Sequence, residues 1–195
     1  MRIRRLALLA AIAVSSACSR SDAHQSEVVD RDTLLTTDES LRRFRASLHV
    51  VSHLSPAFAS REEVAREFVA AVATRDTNRL ARLLLTPAEY AWLYYPENPL
   101  SRAPYELPAG LAWFELHTNS SAGLRRVLAE YGGQSMTFRR LVCAERVVEH
   151  GANRLWNRCV VGISTANNAT ADVRMFGTIL EREGVFKLLT AANDL

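Results

Sequence analysis

Tyr90, Trp92, Tyr94, Tyr95, Tyr105 and Trp113 crowd between residues 90 and 113 of a chain that is only 8% aromatic. Such rings offer large contact area with a polar tip, which suits sugars, lipids or peptide partners. Packing of helices onto a sheet is the competing use of the same rings. His117 stands four residues after Trp113, and is the histidine best placed to join them. His49 and His53 are also four apart, a spacing that would let them share a helix face and a metal. No third ligand is evident, so a solvated or packed pair is the better reading. His24 falls in a polar stretch and His150 in a turn-like segment. The chain has no Gly-rich phosphate loop, no G-x-S-x-G elbow, no H-E-x-x-H and no C-x-x-C. The residues thus point to no cofactor and no catalytic set.

Cysteine is the second chemistry-bearing type. The first eighteen residues read MRIRRLALLAAIAVSSAC. Arg2, Arg4 and Arg5 precede an apolar run from Leu6 to Val14, and small residues lead to Cys18. The run is too short for a permanent span, which needs roughly 20 residues. Residues 1–17 therefore read as a signal peptide, and Ala17-Cys18 fits the cut site of a bacterial lipoprotein. Lipidation of Cys18 would hold the protein in the cell envelope, and in a bacterium with two membranes Ser19 favours the periplasmic face of the outer one. Ordinary cleavage nearby, with Cys18 incidental, is the alternative. In an exported chain Cys143 and Cys159 are left as a pair. They flank Glu149–Asn153. A hairpin in which 148 faces 154 would also set 143 opposite 159, within reach of a disulfide. Two buried thiols would be the alternative.

Charge narrows the partners. The full chain has formal charge +3, but its first seventeen residues carry three arginines and no acid, so the remainder is formally neutral. A nucleic-acid binder shows a basic stripe, and none is present. Lys187 is the only lysine among many arginines, which reads as coding preference rather than chemistry.

The elements that must position these residues follow from spacing. Residues 18–37 are polar and suit a tether; 38–195 fit one α+β domain. Leu41, Phe44, Leu48 and Val51 predict a first helix over 38–54, ended by Pro56. Ser60 and Glu63 form a capping box for a second helix with Val64, Phe68 and Val72 on one face. Asp76 or Thr77 caps a third. Thr86-Pro-Ala-Glu89 is another capping box, opening a short aromatic helix from Tyr90 to Tyr94. An extended, Pro-rich crossover comes next, then a helical region from Pro108 with a break near Asn119–Ser121, stopped at Gly132-Gly133. The rest predicts about four antiparallel strands: 136–147, 155–164, 173–180 and 185–190. Glu181-Arg-Glu-Gly184 marks a hairpin.

This order resembles the nuclear transport factor 2-like, or SnoaL-like, superfamily of α+β cones over residues 60–195. The carrying segments are SREEVAREFVAAVATRDTNRLARLL and ADVRMFGTILEREGVFKLLTAAND; EYAWLYYPENP is similar to segments of bacterial lipoproteins of this general shape. The resemblance implies N-terminal helices packed on a curved antiparallel sheet around a hydrophobic cavity. It leaves two classes of function. One is a non-catalytic envelope domain, membrane-held by its lipid, that binds an apolar small ligand or another envelope protein. The other is a small enzyme acting on a hydrophobic substrate, whose family pattern would place an Asp–His or Tyr–Asp set in the cavity. The lack of such a set favours binding, with Trp92, Tyr94, Tyr95, Tyr105, Trp113 and His117 as the candidate surface.

Overall fold

A computed structural model describes residues 35–193 and Leu195. The expected signal peptide over residues 1–17, Cys18 and most of the expected tether lie outside the described residues.

Helix α1 (Thr37–Arg45) is capped by Thr36, whose hydroxyl accepts from the Glu39 N–H. It stops nine residues short of the expected end at residue 54. Leu48 and Val51 keep helical spacing without helical backbone, and Val51 packs instead against an apolar cluster. Helix α2 (Arg61–Ala73) starts at Ser60, whose Oγ accepts from the Glu63 N–H at 3.1 Å. Glu63 does not return the bond to Ser60; it accepts from the Ala59 N–H at 2.8 Å. Its apolar stripe, Val64, Phe68 and Val72, is fully buried. Asp76 caps α3 (Thr77–Leu83) through the Arg79 N–H. The short α4 (Pro87–Glu89) has the full capping box from Thr86.

Helix α5 (Ala109–Glu130) runs unbroken through Asn119–Ser121, where the sequence predicts a break. Ser120 keeps it helical by turning its hydroxyl across to the C-terminal strand. It donates to Thr190 Oγ1 and accepts from the Ala191 N–H. Gly123, one turn on, allows the close approach: a Cβ there would collide with the Ala191 carbonyl.

Among the described residues the β half has seven strands in two antiparallel sheets, not about four in one. β1 (Met136–Val142), β4 (Val160–Thr165) and β5 (Thr170–Val173) form the first, in order β1-β4-β5. β2 (Val148–His150), β3 (Asn153–Trp156), β6 (Thr178–Arg182) and β7 (Val185–Thr190) form the second, in order β2-β3-β6-β7. The expected strands 155–164 and 173–180 are thus each parts of two strands joined by a corner, and the strand expected over 136–147 stops at Val142. Arg158 turns one corner with φ 52° and Gly177 lies at another. The β6–β7 hairpin has positive φ at Glu183 and Gly184, the two-residue turn that suits the strand twist.

Cys143 and Cys159 are disulfide-bonded. The pairing is as expected, but its setting differs. Val148 faces Leu155 rather than 154, and that hairpin belongs to the second sheet. The disulfide lies just beyond the Val142–Val160 pair that ends the β1–β4 ladder. It ties the two strands where both leave the first sheet.

Two apolar clusters make the core. One joins Phe68, Leu80 and Val127 to Val161, Ile179 and Leu188. The other joins Leu54, Tyr90, Tyr95 and Ala109 to Leu155, Leu180 and Leu189. Successive strand residues point to opposite faces. Ile179 and Leu180, like Leu188 and Leu189, therefore divide between the two clusters.

Candidate functional site

The aromatic segment is built by an irregular helix. After α4 the chain widens into a π-turn over Tyr90–Tyr94, in which the Tyr95 N–H reaches the Tyr90 carbonyl. Such single-turn insertions leave carbonyls outside the regular ladder and recur at functional sites. Here the freed carbonyls are taken by side chains from elsewhere. The Ala91 carbonyl accepts from Arg45 Nε and Nη2 at 3.2 and 2.8 Å. The Leu93 carbonyl accepts from Asn153 Nδ2 at 3.0 Å and Arg182 Nη1 at 3.1 Å. Glu97 closes this knot, accepting from Asn153 Nδ2 and from the Ala152 N–H. Residues 90–97 are thereby bolted to β3 and β6.

The rings gather around Tyr90. Its centroid lies 5.1 Å from Trp113, 5.8 Å from Tyr94 and from Tyr95, and 6.1 Å from Phe44. Tyr95 is sealed in, its hydroxyl donating to the Leu107 carbonyl at 2.6 Å. Tyr90 and Tyr94 behave differently. They are 2% and 7% exposed, yet neither hydroxyl has a hydrogen-bond partner among the described residues. Neither oxygen is sealed off from solvent. Both rings border an open groove of about 210 Å³, with Asn98, Leu107, Glu115 and Asn119 among its other walls. Burial pushes the Tyr94 phenol up to about 12. Tyr90 is raised further, first by burial and then by the nearby Tyr94, Tyr95 and Glu115 charges. Both phenols therefore stay protonated at neutral pH, as hydrogen-bond donors and poor nucleophiles.

The remaining candidates separate. Trp92 lies on the other side of the turn, half-buried, with the Arg45 guanidinium 3.8 Å over its ring. Burial without a countercharge lowers the pKa of that guanidinium. Trp113 stacks on His117 at 5.6 Å, and His117 is exposed. Tyr105 is 65% exposed. The structure thus brings Tyr94, Tyr95 and Trp113 around Tyr90, leaves His117 stacked on Trp113, and turns Trp92 away. His49 and His53 share no helix, because α1 ends before them; both are exposed, and His53 is hydrogen-bonded to its neighbour Ser52. Among the described residues no cluster of His, Cys, Asp or Glu could hold a metal, and no helix is long and apolar enough to cross a membrane.

Sequence reasoning does not find one further constellation. Lys187 is 0% exposed and Glu89 2%. The lysine's three N–H donors are all used: Glu89 Oε1 at 2.8 Å, Glu89 Oε2 at 2.7 Å and the Ser55 carbonyl at 3.0 Å. Glu89 also accepts from the Ser55 and Thr86 N–H groups, both at 2.7 Å. Burial lowers the Lys187 pKa, against the opposing pull of Glu89. The available signal is a lone lysine in the apolar run Val-Phe-Lys-Leu-Leu, in a chain that uses arginine everywhere else.

No family model matches the chain, and neither a curated protein nor a solved structure matches it. What the fold and the site define is an α+β domain with an open, tyrosine-lined groove.

Proposed function

We propose that this is a lipid-anchored protein of the bacterial cell envelope whose folded part binds a small, largely apolar ligand. The binding place is the groove between α5 and the Tyr90–Tyr94 turn. One observation carries the reading: two nearly buried tyrosines present unpartnered hydroxyls to an open space walled by leucine and small polar side chains. Both hydroxyls are open to solvent, so a ligand that accepts from them replaces a bond to water with one made beside largely buried rings, where a hydrogen bond is stronger. The leader, Cys18 and the polar tether support export and anchoring. A disulfide fits an oxidising compartment. The cone resemblance belongs to this proposal too, but the groove is walled by helices and the 98–107 segment, with no strand among its lining residues.

Two experiments test it. A fatty-acid probe fed to cells should label the wild type and not Cys18→Ser; equal labelling of both rejects the anchor. Titration with 1-hexanol should shift tyrosine-ring NMR signals of the full chain. Asn119→Phe, which fills the groove mouth from an exposed position, should suppress that shift. An undiminished response in this variant places binding elsewhere.

A further inference from the structure

We propose that the groove takes a neutral carboxamide, whose carbonyl accepts from the Tyr90 and Tyr94 hydroxyls and whose N–H donates to Glu115. This assignment of ligand chemistry rests on the groove being the ligand site.

The match is one of donors and acceptors. An amide oxygen has two lone pairs and accepts two hydrogen bonds. The groove supplies two phenol donors from rings more than nine-tenths buried, neither with a partner among the described residues. Asn98 adds a third donor: its Oδ1 is occupied by the Leu100 N–H at 2.9 Å, which leaves its NH2 group for the groove. Glu115, from α5, has only acceptors when ionised, and lies near enough to Tyr90 for its charge to raise that phenol's pKa. Donors on the turn and an acceptor on α5, on the two sides of the groove, are the complement of a trans amide, whose C=O and N–H point in opposite directions.

Other ligand chemistries leave groups unmatched. A carboxylate ligand would meet Glu115 as a like charge. An ammonium would satisfy Glu115 but leave both phenol protons without an acceptor. A hydrocarbon would satisfy neither. The volume of about 210 Å³ is below the usual range of roughly 300–1,000 Å³ for enclosed ligand sites. The groove therefore holds the amide and a short apolar neighbour, with the rest of a longer ligand passing out over the exposed Leu100.

The test uses the full chain and four small probes, N-butylacetamide, butyl acetate, butylammonium and 1-hexanol, each titrated by NMR. N-butylacetamide should bind at least tenfold more tightly than butyl acetate, which keeps the carbonyl and lacks the N–H. Glu115→Leu changes an exposed residue and should bring that ratio close to one. Tyr94→Phe should weaken amide and ester alike, about fivefold or more, with an unchanged circular dichroism spectrum. Should Tyr94→Phe not fold, the Glu115→Leu ratio decides alone. Tighter binding of butylammonium than of the amide overturns the proposal, as does an amide-to-ester ratio that Glu115→Leu leaves unchanged. Binding of hexanol and all the other probes with equal affinity overturns the amide assignment while leaving the groove a binding site. Failure of all four to bind overturns both.

Discussion

Glu89 and Tyr90 are neighbours in the chain and equally buried, yet their polar atoms meet opposite treatment. The Glu89 carboxylate receives Lys187, two backbone N–H groups and the Thr86 hydroxyl. The Tyr90 hydroxyl receives nothing from the described residues. The first arrangement joins three distant segments: the strand β7, the start of α4 and the loop at Ser55. Every donor and acceptor is used up inside the protein, so nothing is left for a ligand. The second leaves hydrogen-bonding capacity at the inner end of a groove. One turn of irregular helix thus serves two ends. Its N-terminal side is a closed polar joint, and its C-terminal side is open.

The closed joint should be the costlier to break. Lys187→Met removes the cation and leaves Glu89 buried without its partner, a change that costs about 3–5 kcal/mol. The double variant Lys187→Met, Glu89→Leu should regain only part of that loss, because apolar side chains can replace the ion pair but leucine leaves the Ser55 and Thr86 N–H groups without their acceptor. Urea unfolding of the three proteins measures both values. A Lys187→Met loss below about 1 kcal/mol would show that the joint is not closed, since exposed substitutions are the ones that cost so little.

Next in size is the disulfide, which lies in neither region and so calibrates the comparison. Its cysteines are 16 residues apart, and closing a loop of that length is worth about 3 kcal/mol in the chain-entropy model. Unfolding with and without reductant, beside Cys143→Ala with Cys159→Ala, should give the same difference. No change on reduction would mean that the corner at Cys159 is held by its buried neighbours alone.

Trp92 is the intermediate case. It shares the turn with Tyr90 and Tyr94 but faces away from the groove. It is half-buried under Arg45 rather than exposed at a pocket mouth. Trp92→Ala should therefore cost about 1–2 kcal/mol, from partial loss of buried apolar area and of one cation–π contact. It should leave probe binding within twofold of the wild type. A tenfold loss of binding with intact stability would move the site to that side of the turn.

Local signals make much of this legible. Ser60, Asp76 and Thr86 cap the helices their spacing predicts, and residues 185–190 form the strand their pattern predicts. The corners are hidden for a physical reason. Cys159, Met175 and Phe176 lie between strands, yet they are as buried and apolar as strand residues. The hydrophobic pattern therefore runs through each corner without a break, and two sheets look like one. Leu48 and Val51 mislead in the opposite sense: their spacing suits a helix, but they lie in a loop. At the site, spacing puts Tyr90 and Tyr94 on one face and Trp92 on another, and all three sit so. The Lys187–Glu89 pair is beyond reach because nothing local links residues 89 and 187. Only the fold brings them together.

The smallest effect on stability at neutral pH belongs to the open side, and it sharpens the comparison most. Tyr94→Phe removes a hydroxyl that holds no partner among the described residues, so at pH 7 it should change stability by less than about 0.5 kcal/mol. The variant should separate from the wild type only in alkali. The Tyr94 phenol is raised from 10.0 to about 12 by burial in the folded state. Below pH 10 the phenol is neutral whether the chain is folded or not, and it contributes no pH dependence. Above pH 10 the unfolded chain loses this proton while the folded chain keeps it, so stability falls as pH rises towards 12. Phenylalanine cannot ionise, so Tyr94→Phe should flatten part of that decline, and Tyr90→Phe, whose phenol is also raised, should flatten a similar part up to pH 11. Urea midpoints at pH 8, 10 and 11 measure the slopes. Variants that decline in parallel with the wild type would mean that these phenols ionise as readily folded as unfolded. The two hydroxyls, which are open to solvent, would then be as fully hydrated folded as unfolded, and burial of their rings would not reach the oxygens.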